Sequence, residues 1–190
     1  MNRPESLALG ALTIVPAATD AAATLADTHR ACFDAAAGFG EPWDVRAMGE
    51  ILAMPGAGGR LARWSGAGEA DGGRPVGLAL YRIAADEAEL LTLGVVPELR
   101  RRGIASRLVA ATCAATGAAG ALRLVLEVAE HNDAARRLYA RLGFAELGYR
   151  RGYYAARTSG AAARTALVLA RASGPPPGTH GPVPETMNQR

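Results

Sequence analysis

The sequence predicts an α/β fold of the mixed α+β kind, with a mixed central sheet whose central strand pair is parallel and flanked by helices. Three observations point to it. Two apolar, β-branched runs, Ala88–Val96 (AELLTLGVV) and Ala121–Ala129 (ALRLVLEVA), are separated by a helical stretch. A helical crossover of that length returns right-handed to the same sheet, so the two strands should be parallel. Further strand-like segments come before this unit with no helix between them, and a hairpin pair follows it, which makes the sheet mixed. At 190 residues the chain suits one domain with a single core. We place that domain at 1–172 and a tail at 173–190, where SGPPPGTHGPVPETMNQR holds too little apolar content to pack and is expected to be disordered.

The elements follow in order. LTIVP, Leu12–Pro16, reads as the first strand, and the alanine-rich stretch from Ala17 to about Asp34 as a helix. Asp44 is placed to cap a short helix ending near Met54, before a Pro/Gly stop. GRLARWSG and RPVGLALYRIA are strands around the turn GAGEADGG, and Trp64 should pack in or near the sheet. After Ala88–Val96 and an arginine-rich loop, Ile104, Leu108, Ala111 and Ala115 mark the buried face of a helix. Following Ala121–Ala129, Asn132 caps a helix whose Ala135, Leu138 and Leu142 should face inward and whose end is Gly143. FAELGYRRGYY and ARTALVLAR close the domain as a hairpin pair.

Composition narrows the function. All 21 basic residues are arginine, the 18 acids are interspersed among them, and the net charge is only +3, so no direct nucleic-acid partner is expected. The two cysteines, Cys32 and Cys113, sit in separate helical segments with no CxxC or His-rich spacing; they read as buried free thiols, and no metal is expected. The first residues lack a long apolar stretch and no run approaches a membrane span, so the expectation is no membrane and a reducing, cytoplasmic location. Oligomeric state is not legible.

The loop VVPELRRRGIASRL lies where a central strand ends and a helix begins. Ligands of such sheets bind at the carboxyl ends of the strands. A helix start offers unpaired N–H groups and a positive dipole end, and Gly103 removes a Cβ that would hold an anion away. The loop is therefore a candidate pyrophosphate cradle, the plainer alternative being a solvated basic face. It matches neither a Walker A nor a GxGxxG pattern, which disfavours nucleotide hydrolysis and Rossmann-type redox chemistry.

Arg100-x-x-Gly103-x-Ala105 resembles the acetyl-CoA-binding motif Q/R-x-x-G-x-G/A of the GNAT superfamily of N-acetyltransferases. Further on, Glu127, Asn132, Leu138-Tyr139, Gly143-Phe144 and Arg151-Gly152-Tyr153-Tyr154 are similar in type and spacing to the RimI-type ribosomal-protein alanine N-acetyltransferases, and Pro42-Trp43 also fits. The resemblance spans about Leu12 to Arg171. It implies a GNAT-type three-layer fold with acetyl-CoA as cosubstrate and no metal. The implied acceptor is a protein N-terminus, in that family the N-terminal alanine of a small-subunit ribosomal protein, attacked without an acyl-enzyme.

Residue by residue, the resemblance makes Glu127 the general base and Tyr139 the acid that protonates the leaving thiolate. Asn132 would bond the pantetheine arm as well as cap its helix. Leu93, Gly94 and Val95 would offer backbone groups to that arm, with the Val95 N–H facing the thioester oxygen. The backbone of Arg101, Arg102, Gly103, Ile104, Ala105 and Ser106 would hold the pyrophosphate. His131 replaces the family's serine and is expected to face solvent; His29 and His180 show no partner pattern. Arg164-Thr165 stands where the family carries an acidic pair, which reverses the charge near the substrate entrance. That keeps two other readings open: the same chemistry on another peptide or a small amine, and a non-catalytic acetyl-CoA-binding module.

Overall fold

The computed structural model describes residues 11–18, 20–33, 42–66, 72–150 and 165–173. The Arg151–Tyr154 motif, the loop 155–163, Arg164, His180 and the tail from 174 onward lie outside these residues.

Strand β1 (Ala11–Pro16) is followed by α1 (Ala22–Cys32) and α2 (Val45–Leu52), then by β2 (Ala57–Ser65), β3 (Arg74–Ala84) and β4 (Glu87–Val95). A 3-10 turn, Pro97–Leu99, leads to α3 (Ile104–Ala118); β5 (Arg123–Ala129), α4 (Asp133–Arg141), β6 (Ala145–Arg150) and β7 (Ala166–Ala172) complete the order. The seven strands run β1-β2-β3-β4-β5-β7-β6. Only β4 and β5 pair in parallel, as the crossover through α3 requires. The closing strands do pair with each other, but β7 inserts between β5 and β6, leaving β6 at the edge.

Two expectations shift. The first helix begins at Ala22 rather than Ala17, because the Ala17 N–H continues from β1 to bond the Gly59 carbonyl and a turn closes from Ala21 to Ala18. In α3, Ala111 and Ala115 are only partly buried, while Leu108, Val109, Thr112, Cys113 and Thr116 form the inner stripe. An alanine-rich helix carries little periodic signal, and threonine hides its polarity: the Thr116 hydroxyl donates to the Thr112 carbonyl at 3.0 Å.

Glycines reveal the layering. A Cβ on Gly77 of β3 would meet Leu108 of α3 at 3.3 Å, whereas one on Gly94 of β4 would meet Cys32 of α1 at 2.8 Å. Gly94 pairs with Leu78, the neighbour of Gly77, and successive strand residues point to opposite faces. Helices α1 and α3 therefore cover opposite faces of the sheet, giving three layers. The core runs through both, with Leu25, Met48, Leu78, Leu80, Leu108, Leu124 and Leu126 almost wholly buried.

What positions the site is an interruption in the sheet. The parallel ladder extends only from Glu87↔Arg123 to Leu90↔Leu126, although β4 runs on to Val95 and β5 to Ala129. A bulge in β4 lies at this point, since Leu80 faces Thr92 while Tyr81 faces Leu90, leaving Leu91 as the extra residue. Beyond it the two strands part. At the closed end the Arg123 Nε meets Glu87 Oε2 at 2.6 Å, an exposed pair across the first rung.

Candidate active site

A cavity of about 410 Å³ lies at the end of β4 where the strands part, bounded by the end of α1, the arginine loop, the start of α3, and Asn132 with one side of α4. Of the residues singled out from sequence, Leu93, Gly94, Val95, Arg101, Gly103, Ile104, Ala105, Ser106, Asn132 and Tyr139 line it. Arg102 and Glu127 do not.

The loop is shaped by two left-handed residues, Arg101 (φ 64°) and Gly103 (φ 78°). The first bond of α3 is from Arg107 N to Gly103 O, so the N–H groups of Ile104, Ala105 and Ser106 have no acceptor within the helix. A Cβ on Gly103 would meet nothing within 4 Å, so this position is constrained by its φ, with open space above it. Backbone donors converging under such a turn make an anion-holding concavity.

Along β4 the register decides which backbone groups face the opening. Val96 N bonds Val76 O, which makes Gly77/Val95 a pair that shares no hydrogen bonds and Leu78/Gly94 the bonded one. The N–H and C=O of Leu93 and Val95 therefore point away from β3 into the gap, and those of Gly94 do not. Gly94 matters by close approach instead: Cys32 and the Phe33 ring sit where its Cβ would be, the ring edge at 2.9 Å.

The Glu127 carboxylate lies on the α1 face of the sheet. Leu90 and Leu126 are opposite each other, and alternation from the bulge puts Thr92, Gly94 and Glu127 on the other face from that pair. Its side chain is 14% exposed; Oε1 forms an ion pair with the Arg150 Nε of β6 at 3.0 Å, while Oε2 is buried without a hydrogen-bond partner among the described residues. Glu127 is thus not an exposed strand-end charge.

Tyr139 is the most buried residue of α4, packed edge-on against Phe144 at 5.4 Å between ring centroids. Burial pushes its phenol well above the usual range, so it stays a neutral O–H donor at any ordinary pH. Leu138, Ala135 and Leu142, expected to face inward, are only partly buried. The Asn132 side-chain oxygen accepts from Ala135 N at 3.1 Å, a helix cap that leaves the amide NH₂ for the cavity it lines.

Sequence reasoning missed three features. Arg100 is not a free cation: its Nε donates to Val95 O at 3.1 Å and its NH2 to Cys32 O at 2.8 Å. Arg150 was not associated with Glu127, because the pairing needs β7 to lie between their strands. His29 is buried at 5% exposure, stacked on Trp43, accepting from Trp43 N at 3.3 Å and facing the Thr92 hydroxyl at 3.4 Å; burial lowers its pKa to about 4. The signal for His29 was its place beside Leu25 and Cys32 on the inner face of α1. His131 is exposed, as expected. Both cysteines are buried free thiols, and burial pushes Cys32 up to about 12 against the pull of Arg100. Among the described residues no cluster suits a metal ion, and no helix is long and apolar enough to cross a membrane.

Fold and cavity define a class: an α/β domain whose sheet parts between two parallel strands, with a cavity beside a helix start whose first N–H groups have no acceptor within the helix. The profile of the acetyltransferase (GNAT) family matches residues 24–144, and the chain belongs to that family. The chain is 38% identical over 140 residues to "N-alpha-acetyltransferase RimI" of Mycobacterium tuberculosis, covering 72% of this chain and 79% of that protein. It is 37% identical over 81 residues to the "[Ribosomal protein bS18]-alanine N-acetyltransferase" of Salmonella typhimurium, a match that covers 43% of this chain and 55% of the relative, about half its length. In three dimensions it is similar to the ribosomal-protein-S18-alanine N-acetyltransferase of Escherichia coli, with a TM-score of 0.69 at 20% identity, over 90% of this chain and 99% of that one. Arabidopsis thaliana NAA60 in complex with acetyl-CoA is also similar, with a TM-score of 0.65 at 19% identity, over 85% and 98%.

Proposed function

We propose that the protein moves the acetyl group of acetyl-CoA to the α-amine of a protein N-terminus, in the first instance the N-terminal alanine of a small-subunit ribosomal protein. The observation that carries the reading is the coincidence, in one cavity, of a helix start with three unpaired N–H groups, the N–H groups of Leu93 and Val95 turned away from β3, and a buried neutral tyrosine. The names of the M. tuberculosis and S. typhimurium relatives support the acceptor. A cytoplasmic location belongs to the same reading, since that is where ribosomal proteins and acetyl-CoA meet.

In this mechanism Ile104, Ala105 and Ser106 hold the pyrophosphate by their N–H groups, with Arg101, Arg102 and Gly103 shaping the turn. The Asn132 amide and the Leu93 backbone bind the pantetheine arm. Leu93 and Val95 both turn an N–H away from β3, and the Val95 N–H donates to the thioester oxygen. A donor at that oxygen lowers the barrier by about 3 kcal/mol. The amine nitrogen attacks the thioester carbon from the α1 face while the Glu127 carboxylate takes its proton, directly or through a water. As the C–S bond breaks, Tyr139 gives its proton to the sulfur. An α-amine, with a pKa of roughly 7.7–8, suits this arrangement; a lysine amine would have to lose its proton at a cost about 3 kcal/mol higher.

The test is to incubate the protein with acetyl-CoA and peptides that differ in their first residue, following thiol release and peptide mass. Acetylation of the α-amine of alanine-first peptides is the expected result. The Arg164-Thr165 departure favours a second acceptor class, and turnover with small amines alone would replace the peptide reading by that one. Cofactor binding with no acceptor at all would leave a binding module.

A further inference from the structure

The first arginine of the loop does something other than meet a phosphate. Arg100 donates to two carbonyls from two different elements: Cys32 O, in the last turn of α1, and Val95 O, at the end of β4. Among the described residues no carboxylate forms an ion pair with it. Both contacts are partly buried, and a cation at a helix C-terminus also complements the negative end of its dipole. Turning the guanidinium toward a pyrophosphate would strip both carbonyls of their donor.

What these carbonyls hold in place is the wall of the cavity. Residue 33 follows Cys32 directly, its N–H closes the last turn of α1 on His29 O at 2.9 Å, and its ring lies against Gly94. Cys32 and Phe33 line the cavity on the α1 face, the face that carries Glu127. We propose that Arg100 is a positioning residue that clasps the end of α1 to the end of β4, so that Phe33 forms a fixed wall on the side from which the acceptor amine approaches. This rests on the acetyltransferase reading for the word acceptor, but the clasp itself does not. A glutamine, the other residue of the motif, carries one amide NH₂ and lacks the fork that spans two carbonyls in separate directions.

The experiment uses the full chain, Arg100→Ala and Arg100→Lys, with coenzyme A as ligand and an alanine-first peptide as acceptor. In Arg100→Ala, hydrogen exchange at the Phe33 amide should quicken about tenfold, the size expected from losing a charge-assisted bond. The acceptor KM should rise by a similar factor, while the Kd for coenzyme A stays within about twofold. Arg100→Lys, which keeps the charge, should recover part of the protection. The proposal is overturned if Arg100→Ala weakens coenzyme A about tenfold and leaves Phe33 exchange unchanged, which is the behaviour of a phosphate ligand. A wild-type protein that binds coenzyme A yet acetylates no acceptor would sink the functional reading, and the exchange measurement would still decide the clasp.

Discussion

Lowering the pH below 6.5 should destabilise this protein through one imidazole. The His29 Nδ1 must present a lone pair, because it accepts the Trp43 N–H at 3.3 Å, and the ring proton therefore sits on Nε2 facing Thr92. A second proton would set two N–H groups against each other inside a stack with Trp43 and Phe33. Burial holds the folded pKa near 4, against 6.5 for the ordinary group. Between those values the unfolded chain binds a proton that the folded chain refuses. Stability from this residue is thus fully present above 6.5 and is lost as the pH falls toward 4. At about 1.4 kcal/mol per pH unit of displacement, the fall from 6.5 to about 4 amounts to roughly 3 kcal/mol. Urea unfolding at steps from pH 7 to pH 4 measures it, with His29→Gln as the reference for the carboxylates that titrate in the same range. The variant should be weaker at pH 7 and lose less on acidification. Equal losses in the two proteins would refute the assignment.

Other outcomes test the site. Gly103→Val forces a β-branched residue into a left-handed conformation at a cost of roughly 1–2 kcal/mol, so calorimetry should find acetyl-CoA bound about tenfold more weakly; an unchanged Kd would count against the cradle. Tyr139→Phe keeps the edge-on packing with Phe144 and removes only the donor, so kcat should fall by about 10²-fold at constant acetyl-CoA affinity. Glu127→Gln should show a similar deficit at pH 7 that narrows by about pH 9, where an α-amine of pKa roughly 7.7–8 is neutral without help; a deficit equal at both pH values would remove the base role.

Much of this was legible in the residues, and the exceptions have physical causes. Strands with strong β-branched runs, such as Ala88–Val96, and helices with a polar cap, such as those begun by Asp44 and Asn132, were placed within a residue or two. The inner face of α3 was misjudged because alanine is compatible with either side of a helix while buried threonines satisfy themselves on the preceding turn. The turn at Arg101 to Gly103 was visible because its requirement is local, a glycine between a strand and a helix. Interactions between distant segments were not: Arg100 with Cys32, Arg150 with Glu127 and His29 with Thr92 depend on strand order and on which face each strand turns inward. Sequence periodicity assigns neither.

The short parallel ladder has a consequence for the molecule as a whole. Strands β1 to β4 form one leaf and β5, β7 and β6 another, joined in the sheet by the rungs from Glu87↔Arg123 to Leu90↔Leu126. Past that spine the leaves stand apart like a partly opened book: the N–H groups of Leu93 and Val95 face away from β3, and Arg100 rather than a strand meets the Val95 carbonyl. Under the proposed function a thioester lying along β4 would supply partners those N–H groups lack. Affinity for the acyl donor and stability of the folded protein would then be two measures of the same seam.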